Sequence, residues 1–91
     1  MYCVLIYKTV EDYIERRVAF REVHLAHAKK AQEEGKLFIA GAFAEPADGA
    51  LLVFKGETAY EDAEAFAKND PYVKNGLIKS WEVRKWTVVI E

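Results

Sequence analysis

The chain has 91 residues, 52% of them hydrophobic and 31% charged, with a formal net charge of -2. That length allows one small domain, residues 1–91, near the size at which a single core is only modestly stabilising, and the apolar fraction argues against disorder. The two signs of charge are interspersed, so nucleic acid is not an expected partner, and no apolar run approaches the roughly 18 residues of a membrane-spanning helix.

Tyr2-Cys3-Val4-Leu5-Ile6-Tyr7 reads as a first strand, central in its sheet or buried on both faces. Cys3 is the only cysteine, which rules out an internal disulfide and paired-cysteine zinc, and a buried place is expected for it. The chain opens directly on this run without a signal-peptide cleavage region, so the cytoplasm is the expected compartment. Thr9, followed by Glu11 and Asp12, reads as a helix start in which the Thr hydroxyl accepts a backbone N–H. The helix is expected to run to about Glu34, with Gly35 as its left-handed cap. At a 3.6-residue period Ile14, Val18, Leu25 and Ala28 make one apolar stripe, and His24 falls on its flank, one and two turns after Arg21 and Arg17. His27 points further round, toward solvent.

Lys36 to Phe43 reads as a second strand, in which Gly41 marks either a bulge or a place of close backbone approach. Pro46 and Asp48-Gly49 supply hairpin turn chemistry, and Ala50 to Phe54 returns antiparallel as the third strand. Thr58 and Glu61 are spaced as a capping box that opens a second helix, along which Ala63, Phe66 and Ala67 recur. Pro71 stops that helix at Asp70. Tyr72 and Val73 begin a short turn that Asn75-Gly76 closes, and Leu77 to Val89 is extended, with an irregularity near Lys85.

The order βαββαβ predicts an α+β, ferredoxin-like fold: a four-stranded antiparallel sheet with both helices on one face. The first three strands are apolar at nearly every position, so the open face should be apolar too. A homodimer through that open sheet face is therefore expected, with the tail after Trp86 crossing the interface and Trp81 and Trp86 as sheet and interface packing.

Five pieces in order carry a family resemblance: Arg21-x-x-His24-Leu25, Gly35-Lys36-Leu37 with Ala40-Gly41, Asp48-Gly49, Asp70-Pro71-Tyr72-Val73 with Gly76-Leu77, and Val83 with Trp86. Together they span nearly the whole chain, which resembles the YciI-related (YCII domain) proteins, relatives of muconolactone isomerase. The resemblance implies a dimeric α+β barrel and a His and Asp pair falling on His24 and Asp70. It also implies that function is open, since most such proteins lack an assigned reaction, while one relative removes chloride from a hydroxylated ring. One departure is Ala42, where the family's Ala-Gly pair is often followed by proline; it bears on the pocket wall and not on the fold.

The chemistry of the pair follows from its residue types. A carboxylate that accepts a hydrogen bond from one imidazole nitrogen fixes the tautomer and makes the other nitrogen a general base. Arg17 and Arg21 are placed to hold a carboxylate or phenolate oxygen of a small substrate, and Tyr7, Phe43 and Tyr72 to line an aromatic-sized pocket. Each residue also has a structural reading. His24 can be a packing residue, Asp70 can bond local backbone N–H groups, and Arg17 and Arg21 can pair with Glu11 or Glu22. No third histidine or cysteine except Cys3 joins His24 and His27, so no metal is expected, and no glycine loop for a phosphate or dinucleotide is present. Cofactor-independent isomerisation or elimination on a small oxygenated, aromatic-sized molecule fits these residues. They equally fit a noncatalytic small-ligand binding or protein-interaction module, and both readings stand at this point.

Overall fold

In the computed structural model, which describes residues 1–91, period-two alternation decides which side chains meet the helices. Strand β1 (Tyr2–Thr9) sends Cys3, Leu5, Tyr7 and Thr9 to one face, all buried. Tyr2, Val4 and Ile6 on the other face are half-buried, so β1 is covered on one side only. Strands β2 (Leu37–Ala42), β3 (Gly49–Lys55) and β4 (Ile78–Trp86) complete an antiparallel sheet in the order β2-β3-β1-β4. The helices are α1 (Tyr13–Arg16), α2 (Arg21–Glu33), α3 (Ala59–Asn69) and α4 (Pro71–Lys74). The architecture is the ferredoxin-like α+β arrangement, with α2 over β2 and α3 over β1, β3 and β4. No helix is long and apolar enough to cross a membrane.

The core lies between the sheet and α3. Ala59, Ala63 and Ala67 recur every four residues, so α3 rests close on Cys3, Leu5, Leu52 and Phe54 and inserts the Phe66 ring, 5.5 Å from that of Phe54. Burying a ring of that size contributes about 1.5–3 kcal/mol. Tyr13, Tyr72 and Leu77 form a second cluster, at the end of the sheet where α1 meets α4.

The single helix expected from Thr9 to Glu34 is broken. A 3₁₀ turn over Arg17–Ala19 and a kink at Phe20 separate α1 from α2. Three residues at 3.0 per turn instead of 3.6 rotate the later face by about 60°. That rotation splits the expected stripe: Ile14, Val18 and Leu25 are exposed, and Tyr13 and Ala31 are the buried residues of this segment. Thr9 caps nothing. It ends β1, where its hydroxyl donates to the Ala47 carbonyl.

Thr58 does precede α3, but its hydroxyl donates to the Asp62 carboxylate at 2.8 Å and the capping box is not formed. Its backbone, at φ -105° and ψ 24°, lies outside the extended region from which a cap reaches the helix N–H groups. The bulges also fall elsewhere than expected. Gly41 pairs regularly with Leu51, while the register shifts between Leu37 and Ile39, which puts Phe38 beside Ile39 on the open face, 6.1 Å from the Tyr2 ring. On β4 the shift lies opposite Lys8 and Thr9, and not at Lys85. Close approach occurs at Gly49, where an added Cβ would lie 2.5 Å from the Tyr7 carbonyl oxygen.

Candidate active site

Asp70 ends α3 and, followed by Pro71 at the first helical position, caps α4. Its extended backbone turns the carboxylate back under the helices, where it is wholly buried. A buried anion needs donors at both oxygens, and both have them. Oδ1 accepts from the Tyr72 backbone N–H at 2.9 Å and from His24 Nδ1 at 2.8 Å; Oδ2 accepts from the Tyr7 hydroxyl at 2.7 Å. The local-capping reading of Asp70 and the contact to His24 thus hold together, one lone pair serving each.

His24 sits in the first turn of α2 and stacks on Tyr72, with ring centroids 3.8 Å apart and planes 6° from parallel. A carboxylate only accepts, so the neutral imidazole carries its proton on Nδ1 and its lone pair on Nε2. Nε2 has no partner within the chain and is not sealed from solvent. His24 borders a cavity of about 240 Å³, together with Tyr7, Tyr13, Arg17, Arg21, Leu25, Ala40, Ala42, Leu52 and Tyr72.

Arg17 and Arg21 have no carboxylate within 4.0 Å, so the expected alternative of pairing with Glu11 or Glu22 is not realised. The Arg17 guanidinium instead lies 5.3 Å from the Tyr13 ring centroid. Burial and the neighbouring Tyr13 push the Tyr72 phenol up to about 12, while Arg21 and Arg17 pull it back down. Tyr7 is also raised, by burial first and by the Asp70 charge second, so its hydroxyl is a permanent donor.

Phe43 is not part of this cavity. Ala40 and Ala42 face the helices, so the alternating Gly41 and Phe43 face the other way, and the Phe43 ring packs over Gly49 and lines an open-face groove with Ile39, Leu51 and Val53. His27 is not a solvent-facing residue either. It is half-buried against α3, stacked on Phe66 at 4.3 Å with Nε2 donating to the Phe66 carbonyl at 3.0 Å. The two histidine rings therefore serve different partners, and no three His, Cys, Asp or Glu side chains gather into a metal-sized group.

Sequence reasoning put Tyr7 on the pocket wall and missed its bond to Asp70. Tyr2, Val4 and Ile6 are as apolar as Cys3, Leu5 and Tyr7, so the sequence does not say which face of β1 is buried; with Tyr7 buried, its phenol needs a partner for its O–H. Tyr13, which joins Arg17 to Tyr72, was missed because a continuous helix puts it outside the stripe.

The model of the YCII-related domain family matches residues 1–87. The chain is similar to a Haemophilus influenzae protein described as uncharacterized, 34% identical over an alignment of 87 residues, with 85% of this chain and 87% of that one covered. It is also similar to protein YciI of Escherichia coli, 31% identical over 86 residues, covering 86% of this chain and 88% of YciI. Among solved structures it shares its fold with TftG, the 5-chloro-2-hydroxyhydroquinone dehydrochlorinase of Burkholderia phenoliruptrix in complex with 2,5-dihydroxybenzoquinone. The TM-score is 0.78 at 21% identity, over 96% of this chain and 94% of that one.

Proposed function

The chain belongs to the YCII-related domain family, and from that premise we propose that it is a cofactor-independent enzyme in which His24, oriented by Asp70, is general base and acid on a small oxygenated ring. The observation that carries this reading is the 2.8 Å contact between His24 Nδ1 and a wholly buried carboxylate, beside an unpartnered Nε2. Nε2 takes a proton from a carbon or hydroxyl of the substrate. The electron pair left behind delocalises onto a substrate oxygen held by Arg17 and Arg21. In an isomerisation the imidazolium returns the proton to another carbon; in an elimination the pair expels a leaving group as its anion.

Size and neighbourhood support a single ring. An apolar cavity of about 150 Å³ accommodates benzene, and the space beside His24 is about 240 Å³. TftG is named for the loss of chloride from a hydroxylated ring and is bound to a dihydroxylated quinone, and that shared fold supports choosing the same substrate class for this proposal. We also infer a homodimer through the open sheet face. Phe38, Ile39, Phe43 and Trp86 are exposed there, and Val89 and Ile90 extend the apolar surface along the tail.

The experiment is a panel of hydroxylated and chlorinated hydroquinones and enolisable lactones, followed by ultraviolet spectra and chloride release. A compound that is turned over should lose about 10²–10⁴-fold in rate in His24→Ala, with Asp70→Asn weakened as well. Full activity in His24→Ala would remove the acid/base role, and tight binding without turnover would make the chain a small-ligand binding module.

A further inference from the structure

A neutral imidazole 2.8 Å from a buried carboxylate has a built-in difficulty as a base. The closer and less shared the negative charge, the more the imidazolium is stabilised, until the ring holds its proton and can no longer take one from a substrate. Something must share the charge of Asp70. Oδ1 already serves His24 and the Tyr72 backbone N–H, and Oδ2 has one partner only, the Tyr7 hydroxyl at 2.7 Å.

We propose that Tyr7 is a positioning residue: by donating to Asp70 Oδ2 it draws charge away from the oxygen facing His24 and keeps the imidazole able to give up its proton. The proposal rests on the acid/base reading of His24 and adds to it a residue that acts on the imidazole through the Asp70 carboxylate. The other groups around His24 do not substitute for it. Tyr72 stacks on the ring face, Arg21 and Arg17 lie toward the cavity, and the facing wall of β2 is Ala40, Gly41 and Ala42, which carry no charge. The Tyr7 phenol is held protonated by burial and by the Asp70 charge, so the donor persists over the range in which histidine titrates.

The test is the NMR titration of His24 in wild type, Tyr7→Phe, Asp70→Asn and the double variant, with His27, bonded to the Phe66 carbonyl and not to Asp70, as internal control. Tyr7→Phe should raise the His24 midpoint by about half to one pH unit. Asp70→Asn should lower it, and Tyr7→Phe should add nothing in the Asp70→Asn background. A midpoint that responds to Asp70→Asn but stays or falls in Tyr7→Phe overturns the role of Tyr7 and leaves the His24 and Asp70 pair standing. A midpoint that responds to neither overturns both. Should Tyr7→Phe not fold, the wild type still decides: the buried Tyr7 hydroxyl proton should be visible downfield and move as His24 titrates. A Tyr7 signal that is absent or unmoved overturns the proposal.

Discussion

Three donors converge on Asp70, and removing the carboxylate strands all of them at once: the Tyr7 hydroxyl, the Tyr72 backbone N–H and His24 Nδ1. A lost cap costs about 0.5–2 kcal/mol and a stranded buried donor about 1–3 kcal/mol. Asp70→Ala should therefore destabilise by about 2–4 kcal/mol in urea unfolding, far more than an exposed aspartate would. Glycines give a second residue-scale contrast. Gly49→Ala drives a methyl to 2.5 Å from the Tyr7 carbonyl and against the Phe43 ring, whereas Gly41→Ala meets nothing within 4 Å. The first should cost about 1–3 kcal/mol, while the second should be neutral or gain up to about 1 kcal/mol by the same measurement. The residue that matters sterically is thus not the one a strand-interior glycine suggests, because close approach depends on the crossing of β1 and the hairpin loop, which spacing does not encode.

Local rules at the ends of elements were legible where the chain's own neighbours decide them. Asp70-Pro71 reads directly as a helix stop and restart, and the alternation of β1 identifies Cys3, Leu5 and Tyr7 as one face. They failed where tertiary contacts decide. Packing of Tyr13 and Phe20 against Tyr72 and Leu77 accompanies the break in the first helix and its shift of phase, and of the expected stripe Ile14, Val18 and Leu25 end up exposed while Ala28 alone packs on the core. His24 still reaches Asp70 because it lies beyond the break, one turn into α2. Strand alternation put Phe43 on the open face, and the shifted phase of α2 turned His27 onto Phe66. Because Thr58 spends its hydroxyl on Asp62, Thr58→Ala should cost less than about 0.5 kcal/mol in thermal unfolding, below the usual loss of a true cap. Ala63→Leu is the opposite case: that position is fully buried under α3, and overpacking should cost about 1–3 kcal/mol.

The whole molecule carries two further consequences. Tyr7 and Tyr72 both hold their phenolic protons more tightly when folded than the ordinary value of 10.0, Tyr72 up to about 12. A group raised in the folded state contributes stability that is complete below its unfolded value and is lost as pH rises through the folded one. The urea midpoint should therefore fall from about pH 10 upward, with a shallower fall in Tyr7→Phe. The sheet has helices on one face and exposed Ile39, Phe43 and Trp86 on the other, so Ile39→Glu should convert the proposed dimer to monomers by sedimentation while leaving the helical content unchanged. The most direct test of the account needs no substrate. The ¹⁵N spectrum of the neutral His24 ring should show a protonated Nδ1 and a bare Nε2, with this pattern weakened in Asp70→Asn. A neutral ring protonated on Nε2 would contradict it, since Asp70 would then not be orienting His24 and the nitrogen left unpartnered would have no lone pair to act as a base.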